Sequence, residues 1–198
     1  MADCFIMRYG GSSAKSETKI IYNLPLQENL DDISGYSRTS VYSGDTPQTI
    51  TVDNGLYLYS NQVKLDMGFL NDVVDNKFKI DFDFMYNSTG TSSYPNNRIL
   101  LWWLPYGVQL ASNYIKSLIY NSSDSHETTT SNKYDGDWHH GTLICDMDTK
   151  SFAFIIDNNT ESLYLLLGSS FSTKNAIYLG YTTYGLNGYI KNLIITTG

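Results

Sequence analysis

Basic side chains are scarce in this sequence of 198 residues. Lys and Arg together number 13 against 20 Asp and Glu, which gives a formal net charge of −7 and a pI near 4.7. Proteins that bind a nucleic-acid backbone or an anionic membrane surface need Lys and Arg to meet the negative charges. The charge balance therefore argues against both kinds of partner.

The sequence also has few features of an inserted or exported chain. No stretch approaches the roughly 20 apolar residues that a membrane-spanning helix needs, so membrane insertion is not expected. The start, MADCFIMRYGG, lacks the long apolar run and small-residue cleavage site of a signal peptide. Localisation stays unknown on these grounds.

The apolar residues that are present alternate with polar ones along several short segments. In FKIDFDF, Phe78, Ile80, Phe82 and Phe84 alternate with charged residues, and SFAFII repeats the pattern at 151–156. A period of two predicts strands with one apolar face. Asp53-Asn54-Gly55 is typical of a turn between strands. Short strands separated by turns predict an all-β, two-sheet antiparallel jelly-roll sandwich.

The remainder of the chain has little helical pattern and one change of character. DMGFLNDVV, with Met67, Leu70 and Val74, is the best candidate for one or two helical turns. The first residues contain the polar run GGSSAKSE and then a segment without clear periodicity. We therefore predict an N-terminal arm or peripheral strand over residues 1–38 and the sandwich over residues 39–198.

Two adjacent histidines follow Trp138 in the segment KYDGDWHHGTLICDMD. On a strand, successive side chains point to opposite faces, so His139 and His140 cannot both bind one ion. The helical HExxH arrangement is absent. This stretch is predicted to be part of the sheet scaffold, with ligand contact by a histidine as the alternative. Cys145, in the same apolar run, is predicted to be a small buried residue, and a disulfide with Cys4 has no support.

The same segment carries a resemblance. DWHHGTLICDMDTKSFAFIID, followed by AIYLGYTTYGLNGYIKNLIITT, resembles the laminin G-like branch of the concanavalin A-like lectin/glucanase superfamily over roughly residues 40–198. The resemblance implies a lectin-like sandwich in which the Trp-His-His is mainly structural. The pattern departs from the family where Asn158, not Gly, follows Asp157. The N-terminal stretch MADCFIMRYGG is similar to the openings of tail-associated proteins of phages and prophages of gut Firmicutes.

A case for catalysis is lacking. Hydrolases of this superfamily resemble one another in a strand with Glu-x-Asp-x-(x)-Glu, which places two carboxylates on one face. The four glutamates here, Glu17, Glu28, Glu127 and Glu161, do not form that pattern. Asp81 and Asp83 share a strand face but are predicted to be ordinary solvent-facing acids. No Gly-x-Ser-x-Gly elbow occurs, and the chain is predicted not to be an enzyme.

Aromatic residues are plentiful at 14%, and sugars pack on aromatic rings while polar groups hold their hydroxyls. In NNRILLWWLPYG, Trp102 and Trp103 point to opposite faces of a strand, so one lies on the face where the resemblance places ligands. The alternative is that a covering loop buries both, and the sequence leaves it open which Trp faces outwards. The residues that would complete the site are Tyr86, Tyr94, Arg98, Tyr106 and His126.

Several relatives hold calcium near the rim of the sandwich, and the residues that would bind it are Asp135, Asp137, Asp146 and Asp148. Calcium takes six to eight oxygen ligands, and turn aspartates also serve local hydrogen bonds. We therefore expect no cofactor, with calcium as the alternative.

The sequence as a whole predicts a non-catalytic, lectin-like carbohydrate-binding module. The N-terminal resemblance suggests a phage or prophage tail fibre that recognises a bacterial surface glycan, found in the virion or, before assembly, in the bacterial cytoplasm. The alternative is a structural or protein-interaction module with virion or tail proteins as partners. A homo-oligomer is an open alternative, although no heptad pattern is present to enforce one.

Overall fold

The computed structural model describes residues 17–44, 49–58, 61–86, 98–103, 106–111, 114–119, 127–129, 136–149, 151–158, 163–166, 177–180 and 188–198. Their strands are β1 (Lys19–Leu24), β2 (Val41–Gly44), β3 (Ile50–Thr51), β4 (Gly55–Tyr57), β5 (Asn61–Lys64), β6 (Lys77–Tyr86), β7 (Arg98–Trp103), β8 (Tyr106–Ala111), β9 (Tyr114–Ile119), β10 (Glu127–Thr129), β11 (Trp138–Asp146), β12 (Ser151–Ile156), β13 (Leu163–Leu166), β14 (Ile177–Leu179) and β15 (Gly188–Thr197). A 3₁₀ helix spans Met67–Asp72.

Within these residues the strands form two antiparallel sheets. The eight-stranded sheet has the order β13-β12-β11-β6-β15-β4-β3, and β1 also pairs with β15. The seven-stranded sheet has the order β10-β9-β8-β7-β14-β5-β2. This arrangement confirms the prediction of an all-β, two-sheet antiparallel sandwich. No helix among the described residues has the length and apolar character needed to cross a membrane.

The core lies between the sheets and follows the alternation in the sequence. Phe78, Ile80, Phe82 and Phe84 of β6 are all buried, as predicted. The seven-stranded sheet contributes buried residues from β5 and β14. Burying one such side chain contributes about 1.5–3 kcal/mol. Cys145 is fully buried in the same core, and its sulfur is a free thiol, which confirms that it acts as a small apolar residue.

Both turn predictions can be compared with the structure. Residues 52–54 connect β3 to β4, where Thr51 pairs with Gly55, so the predicted turn is confirmed. The expected helical turns form the 3₁₀ helix, which Asp66 caps by accepting a hydrogen bond from the Gly68 N–H at 2.8 Å. This helix ends at Asp72, so Val74 lies beyond it and is 43% exposed.

Strand β1 belongs to the eight-stranded sheet. It pairs antiparallel with β15 from Lys19 opposite Thr197 to Leu24 opposite Leu193. Ile21 and Tyr22 of this strand are fully buried in the core. The division of the chain at residue 38 stays a prediction, but residues 19–24 contribute both pairing and core.

Candidate functional site

Four side chains form a row across the outer face of the eight-stranded sheet. Trp138 pairs with Met85, Met85 with Tyr189, and Tyr189 with Tyr57, so the row crosses β11, β6, β15 and β4. All four are half-buried, and fully buried core residues adjoin them along β4, β6 and β15. The alternation of a strand therefore turns these side chains away from the core. We call these four residues the aromatic row.

Ring contacts hold the aromatic row in place. The rings of Tyr57 and Tyr189 have centroids 5.0 Å apart and are tilted by 42°. The Lys191 ammonium lies 3.9 Å from the centroid of the Trp138 ring, a favourable contact of a cation with an aromatic face. The same ammonium donates a hydrogen bond of 3.0 Å to the Asp53 carbonyl oxygen. The Trp138 ring and the Lys191 side chain are thus held against each other.

A second row, next to the first, is polar. His140 pairs with Asp83, and Asp83 pairs with Lys191. The His140 Nδ1 lies 2.9 Å from one carboxylate oxygen of Asp83, and its Nε2 lies 3.6 Å from Asp81. The His140 side chain is 47% exposed. We call His140, Asp83 and Lys191 the polar row.

Hydrogen bonds from neighbouring strands anchor the carboxylates. The Thr142 hydroxyl donates to Asp81 at 2.7 Å, and the Lys79 ammonium lies 2.8 Å from the other oxygen of Asp81. The Asn192 side-chain amide donates to Asp83 at 2.7 Å. Because each carboxylate offers about four lone pairs, these contacts leave acceptor sites for a ligand.

Asn192 reaches Asp83 because β15 is irregular at this point. The pairing register with β6 shifts between Lys191 and Ile194, and Asn192 has a φ of 55°. Asn tolerates this left-handed conformation better than most residues. The Asn192 N–H donates to the Pro25 carbonyl at 2.9 Å, and the Asn192 side-chain oxygen accepts from Gln27 at 3.3 Å. The bulge thereby turns a side-chain amide onto the outer face.

The two histidines take different partners, as strand alternation predicted. His139 is only 16% exposed, and its Nδ1 lies 2.7 Å from an oxygen of Asp157. Its ring centroid is 5.8 Å from that of Phe84. The other Asp157 oxygen accepts a hydrogen bond from the His140 backbone N–H at 2.8 Å. Asp157 therefore ties together the two strands β11 and β12, which supports the structural interpretation of His139.

The predicted ligand-binding residues lie mostly in and beside the other sheet. Trp102 and Trp103 lie in β7, where Trp102 pairs with Tyr178 and Trp103 with the fully buried Ile177. Arg98 also lies in β7, Tyr106 begins β8, and Tyr86 ends β6. Tyr94 and His126 lie outside the described residues, so this group stays a prediction.

The predicted calcium ligands are occupied by local contacts where the structure describes them. One oxygen of Asp146 accepts from the N–H groups of Asp148 and Thr149, both at 3.0 Å. The Thr149 hydrogen bond, aided by the Lys77 ammonium, holds the pKa of the Asp146 carboxyl below its usual range. Asp148 accepts a hydrogen bond of 2.8 Å from the Asn76 side chain.

Asp137 is exposed, and Asp135 lies outside the described residues. Among the described residues, no three His, Cys, Asp or Glu side chains are grouped as metal ligands. Calcium therefore stays a prediction from the sequence alone.

Reasoning from the sequence did not bring Trp138, Asp81 and Asp83 together on one surface. Trp138 was assigned to the scaffold, and the two aspartates were predicted to be ordinary solvent-facing acids. A signal was present, because alternation puts Trp138 and His140 on one face of their strand and Asp81 and Asp83 on one face of theirs. Only the pairing of β11 with β6 brings those faces together.

Comparison with solved structures finds this sandwich in botulinum neurotoxin binding domains. The serotype D/C (VPI 5993) binding domain superposes with a TM-score of 0.64 at 17% identity, over 89% of this chain and 48% of that one. The likeness shows the fold. The botulinum neurotoxin DC binding domain in complex with SialylT gives 0.64 at 16% identity, over 89% and 47%. The same domain in complex with rat synaptotagmin II gives 0.62 at 15%, over 89% and 48%.

The chain thus spans about half the length of these structures, with 47–48% of each covered. No family model matches the sequence, and no curated protein sequence matches it.

Proposed function

We propose that this chain is a non-catalytic carbohydrate-binding module and that the aromatic row with its adjoining polar row is the sugar platform. The observation that carries the proposal is the placement of Trp138, Tyr189 and Tyr57 in one outward-facing row beside the carboxylates of Asp81 and Asp83. Sugars pack their C–H faces on such rings and give their hydroxyl protons to such acceptors.

The chemistry of the surface supports binding over catalysis. Asp83 and Asp157 each use both carboxylate oxygens in hydrogen bonds to neighbouring strands, so they are held by the sheet. A general acid or nucleophile needs a reactive group placed at a substrate bond within a water-excluding pocket. The two rows lie on the outer face of the eight-stranded sheet, where the His140 side chain is 47% exposed, which suits recognition of an extended glycan.

The fold supports the same class of function. The similar solved structures are binding domains, and one of them is a complex with SialylT. A sandwich of this kind therefore occurs in proteins that recognise glycans. The phage or prophage tail fibre remains the setting that the N-terminal sequence suggests.

Trp102 defines a second candidate surface, on the seven-stranded sheet. Trp102 pairs with Tyr178, and Tyr106 begins the next strand. This surface is the one predicted from the sequence, and the proposal includes it as the competing location for the glycan.

A glycan array with the purified chain tests both locations. We expect Trp138→Ala and Tyr189→Ala each to abolish or strongly weaken binding, because each removes a ring from the platform. Trp102→Ala tests the other sheet with the same loss of an indole. Ile144→Ala is the matched control, since Ile144 is 41% exposed on the same outer face but lies away from the aromatic row.

The outcomes separate the alternatives when circular dichroism shows that each variant is folded. Loss in Trp102→Ala alone would move the glycan site to the seven-stranded sheet. If the unmodified chain binds no bacterial or host glycan, with or without calcium, the lectin proposal would be contradicted. A structural or protein-interaction module would then be favoured, and the similar structure in complex with rat synaptotagmin II shows that this fold also occurs in protein complexes.

A further inference from the structure

We infer that the sugar platform takes an uncharged glycan and discriminates against a sialylated one. The inference rests on the proposed function and adds the chemical class of the ligand. It follows from the charges that surround the aromatic row, which differ from what a sialic acid carboxylate requires.

Three carboxylates lie in or beside the polar row. Asp83 is in the row, Asp81 is 3.6 Å from the His140 ring, and Asp157 bonds the backbone N–H of His140. The Asp157 side chain is 46% exposed and adjoins the polar row through the His140 backbone. A ligand on the aromatic row therefore faces a surface rich in acceptors.

The nearby cations are already engaged. The Lys79 ammonium pairs with Asp81 at 2.8 Å. The Lys191 ammonium lies over the Trp138 ring and donates to the Asp53 carbonyl. An anionic sugar would have to draw one of them away from its present contact. The two ammonium groups are also outnumbered by the three carboxylates, and the whole chain carries a formal charge of −7.

Neutral and sialylated glycans are therefore expected to interact with this surface in opposite ways. Hydroxyl groups of a neutral pyranose donate to the remaining lone pairs of Asp83 and Asp157. A sialic acid carboxylate offers no donor and is repelled. Two unit charges about 4 Å apart in water repel by about 1 kcal/mol, so two such contacts weaken binding about tenfold or more. Salt screens this repulsion, with a Debye length of about 10 Å at 0.1 M.

The test compares one glycan with and without a terminal sialic acid, by isothermal titration at pH 8 in low and in moderate salt. We expect the uncharged form to bind at least about tenfold more tightly than the sialylated form. This difference in affinity, the gap between the two forms, should narrow at higher salt.

Asp157→Asn should narrow the gap at low salt, because it removes one exposed charge and keeps a similar shape. Asn also tolerates the φ of 49° at this position. Asp75→Asn is the matched control, because Asp75 is exposed, has a similar φ of 52° and lies at the opposite end of β6 from Asp83, and we expect it to leave this difference in affinity unchanged.

Equal or tighter binding of the sialylated form, lost in Trp138→Ala, would overturn this inference while leaving the sugar platform in place. If neither form binds, and no other glycan on the array binds either, the proposed function itself would be contradicted.

Discussion

The two faces of β6 and β11 are built on opposite principles. On the inner face, the rings of Phe82 and Phe154 are stacked with centroids 5.9 Å apart. A Cβ at Gly141 would lie 3.0 Å from both rings, so a larger residue would crowd them. On the outer face, Asp83 and His140 contact through directional polar bonds. Shape therefore determines which side chains fit on the inner face, whereas donor and acceptor pairing determines the contacts on the outer one.

The largest expected loss of stability comes from a substitution on the inner face. Phe82→Ala should lower the free energy of unfolding by about 3–5 kcal/mol, because it removes a fully buried ring and leaves a cavity. Met85→Ala, in the same strand but on the outer face, should cost much less. Urea denaturation of both variants measures the difference. Similar losses of stability in the two variants would contradict the difference between the two faces.

A second effect concerns the turn that brings β4 against β15. Gly55 has a φ of 73°, and a Cβ there would lie 2.4 Å from the Ile190 carbonyl oxygen. Gly55→Ala should therefore destabilise the chain by well over about 1 kcal/mol. Gly136→Ala is the control, since its φ of 80° is similar but nothing lies within 4 Å of its Cβ. Equal melting temperatures for the two variants would mean that backbone strain, not the close approach, is the whole cost.

A smaller effect is expected on the outer face. Asp83→Ala removes the acceptor for His140 and for Asn192 and should cost about 1–2 kcal/mol, because water reaches these groups and compensates in part. Asp83→Asn keeps one side-chain oxygen as an acceptor and should cost less. Thermal unfolding ranks the pair, and an Asp83→Ala variant as stable as the unmodified chain would show that the polar row contributes nothing to folding.

The smallest effect is a change in how stability responds to acid. Burial raises the pKa of the Asp32 carboxyl, but hydrogen bonds from Ser34, Asn23 and Arg38 outweigh it and leave the pKa below its usual range. A lowered pKa in the folded state stabilises the fold above the unfolded pKa of about 4, and this contribution is lost as the pH falls through the folded value. Asp32→Asn should therefore lower stability at pH 7 and flatten its decline below about pH 4.

Denaturation curves at several pH values check the Asp32 prediction. If the free energy of unfolding falls equally steeply with pH in the variant and in the unmodified chain, the acid sensitivity arises from other carboxylates. Asp31→Asn is a suitable comparison, because Asp31 adjoins Asp32 in an exposed setting.

The strands themselves could be predicted from the sequence, because each carries its own period of two. The residues of β6 and the hairpin of β11 with β12 fall where that alternation placed them. The neighbours of β6 could not be predicted, since His140 is 57 residues from Asp83 and Asn192 is 109 residues away. A pattern within one strand carries no information on which distant strand will pair with it.

The proposed sugar platform could not be predicted from the sequence for the same reason. Its rings come one each from separate strands, so no short segment looks unusual. The adjacent Trp102 and Trp103 are conspicuous in the sequence, and they lie in the seven-stranded sheet. The bulge that turns Asn192 onto the outer face also leaves little trace, since an Asn with positive φ is indistinguishable in sequence from an Asn in a regular strand.

The position of β15 has a consequence for the order in which the chain can fold. β15 pairs with β6, β4 and β1, yet it follows all of them in the sequence. During synthesis one edge of β6 must therefore remain unpaired until β15 has emerged. Pairings between such distant segments fold slowly and leave strand edges exposed meanwhile. On the ribosome, this sandwich remains an unfinished sheet until nearly all of its strands have been made.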